Sequence, residues 1–107
     1  MNAMEKLYQV ILERKTSAQE GSYTGYLFEQ GLDKILKKCA EECGEVIIAA
    51  KSGRVEDTIG EISDLLYHLT VLIANEGIAW EQVEAELERR AQKQGNLKKF
   101  HQVDKDT

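Results

Sequence analysis

Apolar residues recur along this chain at spacings of three and four, the period of a helix that buries one face. Leu7, Val10 and Ile11 form a narrow stripe and predict a first helix over residues 4–15. Residues 16–22 show no period and are small or polar, which predicts the longest loop of the chain. A short helix follows through residue 30, with Ser22 or Thr24 as its cap. Gly31 separates it from a long helix over residues 32–52, whose apolar arc holds Leu32, Ile35, Leu36, Cys39, Cys43, Val46, Ile47 and Ala50. Gly53 suits the residue just past a helix end. The next helix, residues 55–76, carries Ile59, Ile62, Leu65, Leu66, Leu69, Leu72 and Ile73 and stops at Gly77, with Ile78 placed to complete a Schellman motif. Trp80, Val83, Leu87 and Ala91 mark a last helix over residues 80–93.

No stretch alternates as a strand would, and there is no repeat, low-complexity tract or proline. The expected fold is all-α with four to five helices in a single domain spanning residues 1–95. Residues 96–107 form a polar tail with only Leu97, Phe100 and Val103 to anchor it, and His101 in that tail has no assigned role. Residues 65–74 are apolar in almost every direction. A helix of that kind is covered on several sides, and in so short a chain the extra cover is expected from a second subunit, giving a homodimer or higher oligomer.

Composition narrows the setting. The 107 residues, 42% hydrophobic and 31% charged, suit one soluble globular domain. A net charge of -5 argues against a general nucleic-acid or anionic-membrane surface, so a phosphate ligand has to be met through a cation. No apolar run is long enough to span a bilayer and no signal-peptide pattern is present, which together predict a cytoplasmic protein. Cys39 and Cys43, one turn apart on the apolar arc, are expected to be core residues with no disulfide and no metal role.

The chemistry lies beside the apolar stripes. At about 100° per residue, Lys38, Glu41, Glu42 and Glu45 share one edge of the long helix. Asp57, Glu61, Asp64 and His68 share an edge of the next. When the two stripes pack together, these carboxylates converge along one rim. Like charges ~4 Å apart repel by about 1 kcal/mol in water and about 4 kcal/mol at an effective dielectric of ~20, so such a rim calls for neutralisation. Carboxylate oxygens without fixed His or Cys ligands suit Mg²⁺, with Mn²⁺ as a substitute, and Mg²⁺ commonly takes its remaining ligands from water and substrate phosphates. A Glu-rich rim paired with lysines is the competing reading. Ser22 and Thr24 likewise stand either as caps or as part of a phosphate site at a helix N-terminus.

The pattern E-E-x-x-E at Glu41, Glu42 and Glu45, followed by E-x-x-D at Glu61 and Asp64, resembles the metal signature of the all-α, MazG-like nucleotide pyrophosphohydrolases. Ser22-Tyr23-Thr24 ahead of it, Gly31, the run from Lys38 to Val46, Asp64-Leu65-Leu66-Tyr67-His68-Leu69 after it, and Leu87 with Arg90 narrow the resemblance to the phosphoribosyl-ATP pyrophosphatase family of histidine biosynthesis. Cys39-Ala40, Cys43 and Ser63 depart from the usual Val-Gly, Ala and Ala, which touches packing and spares the acids.

The resemblance implies a bundle completed by oligomerisation and hydrolysis of phosphoribosyl-ATP to phosphoribosyl-AMP and pyrophosphate. It implies metal ligation by Glu41, Glu42, Glu45, Glu61 and Asp64, with Glu42 or Glu45 as general base. Lys34 and Lys38 would meet phosphate oxygens, although an ion pair with Glu42 explains Lys38 equally well. His68 is a substrate contact, a support for the carboxylates or, as a lone His on such an edge more often is, a structural residue. A phosphoribosyl-AMP cyclohydrolase is the implied functional partner. A nucleoside triphosphate house-cleaning enzyme and a noncatalytic helical dimerisation module are the alternatives.

Overall fold

The computed structural model describes residues 1–17 and 21–93. Five helices make up the fold: α1 (Ala3–Thr16), α2 (Tyr23–Gln30), α3 (Leu32–Ser52), α4 (Val55–Asn75) and α5 (Trp80–Gln92). Among the described residues there is no strand, so the fold is all-α. The middle of the predicted loop, residues 18–20, and the predicted tail, residues 96–107 with His101, lie outside the described residues.

The chain is arranged around the α3–α4 hairpin, which Gly53 closes with only Arg54 between it and α4. α1 lies along α4, and α2 fills the angle between α1, α3 and α4. Tyr8, Ile11, Leu27, Ile35, Cys39, Val71 and Ala74 form the core, each contributed by the apolar face of its helix. Buried side chains of the Val, Leu and Ile type contribute roughly 1.5–3 kcal/mol apiece, and this small cluster is what holds α1 and α2 against the hairpin.

Two glycines shape the connections. Gly31 is at once the last cap of α2 and the first of α3: its N–H bonds to Leu27 O at 3.0 Å and its carbonyl accepts from Ile35 at 3.1 Å. Turning the chain between two abutting helices takes φ of 91°, which a residue with a Cβ rarely adopts. Gly77, at φ 72°, ends α4 in the predicted Schellman motif, with Gly77 N–H on Ala74 O and Ile78 N–H on Ile73 O, both 3.1 Å. α1 then fastens this end. Lys15 Nζ donates to Ala74 O at 2.7 Å, where the helix dipole favours a cation, and Tyr8 Oη donates to Ile78 O at 2.7 Å.

Two packing expectations are corrected. Cys39 is buried but Cys43 is exposed. Four residues of helix advance about 400°, so Cys43 sits ~40° further round than Cys39, on an exposed line with Leu36, Ala40 and Ile47. Residues 65–74 are mostly satisfied within the chain: Val71 and Ala74 are buried, Leu65, Leu69, Leu72 and Ile73 are half-buried, and only Leu66 is open. α1, α2 and α3 all pack against α4, and Leu69, Leu72 and Ile73 lie against the core. The exposed apolar surface lies earlier in α4 and on α3. α5 leaves the core after Trp80 and buries none of its own residues.

Candidate active site

The α3–α4 hairpin brings Glu42 of α3 together with Glu61 and Asp64 of α4. One carboxylate oxygen from each lies within 4.8 Å of the other two. Among the described residues the ion pairs are Lys38–Glu41, Arg54–Asp57, Arg89–Glu86 and Arg90–Glu86, so no Lys or Arg neutralises this trio. Partial burial, and then the charges of Asp64, Glu42, Glu45 and Asp57, push the Glu61 carboxyl above the usual range. Three half-exposed to exposed carboxylates converging without a protein cation are a set of hard oxygen donors. They fit Mg²⁺ or Mn²⁺, and soft or nitrogen-seeking metals would find no thiolate or imidazole here.

The other two signature acids are not among the three converging carboxylates. Glu41 is exposed and takes a 3.1 Å hydrogen bond from Lys38 Nζ, which holds its carboxyl below the usual range and raises Lys38. Lys38 therefore pairs with Glu41 and not with Glu42. Glu45, also exposed, lies further along α3 beside a shallow groove that it lines with Ile48, Ala49, Ser52, Glu56, Asp57, Gly60 and Glu61. Lys34 is half-exposed, with its ammonium 5.8 Å from the centre of the Tyr26 ring.

The hydroxyls of the Ser22-Tyr23-Thr24 turn are all engaged within the protein. Ser22 Oγ accepts from Gly25 N–H at 3.1 Å and caps α2. Tyr23 Oη bonds to His68 Nε2 at 3.0 Å, and Thr24 Oγ1 bonds to Tyr67 Oη. His68, only 6% exposed, places Nδ1 2.8 Å from the main-chain oxygen of Asp64. A carbonyl only accepts, so in the neutral ring the proton sits on Nδ1, Nε2 accepts and Tyr23 donates.

Residues 4–91 match the family model described as Phosphoribosyl-ATP pyrophosphohydrolase. The chain belongs to this family. A protein named phosphoribosyl-ATP pyrophosphatase from Pelotomaculum thermopropionicum is 59% identical over 87 residues, 81% of this chain and 89% of the relative. One of the same name from Clostridium novyi is 48% identical over 98 residues, 92% of this chain and 89% of its own length. Another from Streptococcus gordonii is 46% identical over 101 residues, covering 94% and 97% respectively.

Within this family frame, sequence reasoning overlooked Tyr23 and Tyr67. Both stand inside motifs that carry the resemblance, yet neither was given a role of its own. Burial pushes both phenols up, Tyr23 against the opposing charge of Lys38 and with that of Glu42 and Glu41, and Tyr67 against the opposing bond from Thr24. The available signal was their type: an aromatic with a polar tip on the edge of a buried stripe usually finds a partner for that tip.

Proposed function

We propose that this chain hydrolyses the α-β phosphoanhydride of phosphoribosyl-ATP, releasing pyrophosphate and phosphoribosyl-AMP, the second step of histidine biosynthesis. The observation that carries the reading is the meeting of Glu42, Glu61 and Asp64, free of protein cations among the described residues, in a member of this family. These three would hold Mg²⁺ or Mn²⁺ at their centre, with Glu45, further along the same edge, and Glu41, which pairs with Lys38, as further ligands. When bound, such an ion neutralises the polyphosphate and lowers the pKa of water. Glu42 or Glu45 accepts the proton of the attacking water. Lys38, next to the acids, and Lys34, further along α3, are placed to receive phosphate oxygens. Ser22 and Thr24 shape the first turn of α2 on the same side, and His68 braces the Asp64 turn.

The domain runs through residue 95. No described helix is long and apolar enough to cross a membrane, in keeping with a cytoplasmic enzyme. Its product would pass to a phosphoribosyl-AMP cyclohydrolase. Two copies associate through the α3–α4 hairpin. Supporting this are two exposed stripes of identical spacing, Leu36, Ala40, Cys43 and Ile47 on α3, and Val55, Ile59, Ile62 and Leu66 on α4.

The test is pyrophosphate release from phosphoribosyl-ATP beside a panel of nucleoside triphosphates, with and without Mg²⁺. The expected result is metal-dependent release with phosphoribosyl-ATP preferred. Preference for a simple triphosphate would point to house-cleaning, and no release from any of them would leave a helical association module.

A further inference from the structure

Two consecutive residues in the first turn of α2 are bonded to two consecutive residues of α4. Tyr23 reaches His68, and Thr24 reaches Tyr67. The rings close around these bonds: Tyr67 meets His68 edge-on at 4.9 Å, Tyr23 meets His68 edge-on at 5.8 Å, and Tyr23 stacks on Tyr67 at 6.2 Å. His68 then continues the connection to Asp64, one turn back, through the main-chain oxygen that its Nδ1 faces. Asp64 is one of the three converging carboxylates. A hydrogen-bonded line therefore runs from the surface of α2, through a buried imidazole, to the turn that carries an acid of the site.

The exposed end of this line is as informative as the buried one. Tyr23 is 45% exposed, and its ring stacks on Tyr26, itself 43% exposed, at 6.2 Å. Lys34 stands over Tyr26. On its other side Tyr23 is near enough to Lys38, Glu42 and Glu41 to feel their charges. Tyr23 and Tyr26 thus lie beside the acids, and Lys34 is close to both Tyr26 and Glu41. A nucleotide whose polyphosphate lies at the acids has flat aromatic faces for its base alongside. The distance between this shelf and the Asp64 turn depends on how α2 docks against α1, α3 and α4, and of its eight residues only Leu27 is fully buried, so the bonds to α4 matter for that register.

We propose that Tyr23 and His68 are positioning residues: their hydrogen bond holds the aromatic shelf of α2 in register with the Asp64 turn, so that a bound nucleotide meets the acids in reactive alignment. This rests on the proposed function. Misplacing reacting groups by ~1 Å costs up to about 100-fold in rate.

The test compares Tyr23→Phe, His68→Gln, His68→Asn and the double variant Tyr23→Phe/His68→Asn. A Gln amide reaches toward the place of Nε2 and keeps a partner for Tyr23, while an Asn amide takes the place of Nδ1 and loses Tyr23. The expected result is that Tyr23→Phe and His68→Asn each lower kcat for pyrophosphate release by about tenfold or more, with KM changed less than about threefold. The double variant should be no worse than either single one, and His68→Gln should keep most of the activity. The Mg²⁺-induced rise in melting temperature should be the same in all. Independently of turnover, long-range ¹H–¹⁵N spectra should show His68 protonated at Nδ1, with the Nε2 resonance moving in Tyr23→Phe. Additive losses, equal damage from Gln and Asn, or a fall in melting temperature with unchanged kcat would overturn the proposal. A wild-type chain that releases no pyrophosphate sinks the proposed function and this inference with it. An active wild type with an unimpaired Tyr23→Phe sinks this inference alone.

Discussion

At Glu42, Glu61 and Asp64, negative charge is concentrated where it opposes folding, and no Lys or Arg among the described residues forms an ion pair with these three, Lys38 acting on Glu42 only from a distance. Removing one charge while keeping shape should therefore separate chemistry from stability. Glu42→Gln, Glu61→Gln and Asp64→Asn should each cut turnover by roughly 10²-fold or more at saturating Mg²⁺, because each lost anion weakens the site that orients phosphate and water. Their metal-free melting temperatures should hold or rise, as Glu88→Gln on exposed α5 serves to calibrate. Near-normal turnover in all three would make the acids structural. Acidity offers a second probe. Because the folded chain raises the Glu61 carboxyl above its ordinary value, the folded state binds that proton more tightly than the unfolded one, and the ionised form is a liability at neutral pH that disappears on acidification. Metal-free Glu61→Gln should be more stable than wild type at neutral pH, with the advantage vanishing as pH falls through the raised value toward about 4, where the unfolded side chain also protonates. Thermal melts across that range decide it, and an advantage that grows on acidification has the wrong sign. In wild type, millimolar Mg²⁺ should raise the melting temperature, since it binds the folded acids alone. Glu45→Gln tests how far the site extends along α3: an undiminished Mg²⁺ response would confine it to the convergent trio.

Three helix ends were readable from the sequence because a glycine stands where the chain turns through a positive φ. Gly31, Gly53 and Gly77 stand where α2, α3 and α4 stop, and Ile78 completes the Schellman turn as its position predicted. Helix faces were harder. Periodicity gives the angle of a side chain around its own axis, and only the neighbouring helix decides whether that angle is covered. Cys43 and residues 65–74 show both errors, since an extra ~40° of rotation opens the one and three flanking helices close the other. For the site, spacing placed five acids along one rim, but it took the relative height of α3 and α4 to select Glu42, Glu61 and Asp64. Side-chain partnerships between distant segments, such as Tyr23 with His68, left no periodic trace at all. The glycine argument yields its own measurement. A Cβ at Gly77 would meet no atom within 4 Å, so Gly77→Ala tests the left-handed backbone alone. It should cost about 1–2 kcal/mol in urea unfolding. A neutral effect would mean that the end of α4 re-forms without the Schellman turn.

For the whole molecule, the decisive number is how much apolar surface a small chain leaves open. Ile47, Ile48, Val55 and Ile59 are each 60–67% exposed, and Leu36, Ile62 and Leu66 are 41–45% exposed, all on the α3–α4 hairpin. Isolated exposed apolar residues need no partner, but two stripes with the same helical spacing on packed neighbouring helices suit a helix-to-helix interface. Covering it with the same face of a second copy gives a four-helix arrangement and returns roughly 25 cal/mol for each Å² removed from water. In one protomer Ile47 and Ile59 touch mostly solvent, so Ile47→Asp and Ile59→Asp should change protomer stability by no more than about 0.5 kcal/mol. At an interface the same changes remove apolar burial and bring in unpaired charges that face their own symmetry mates. The wild-type chain should sediment as a dimer or larger at micromolar concentration. Each Asp variant should raise the dissociation constant by about 100-fold or more, a shift of ~2.7 kcal/mol. Leu87→Asp is the matched control, since Leu87 is 57% exposed but lies on α5, off both stripes. If Leu87→Asp dissociates the oligomer while Ile47→Asp and Ile59→Asp do not, the copies meet through α5. A wild-type chain that sediments as a monomer would show that the α3–α4 face stays open to solvent.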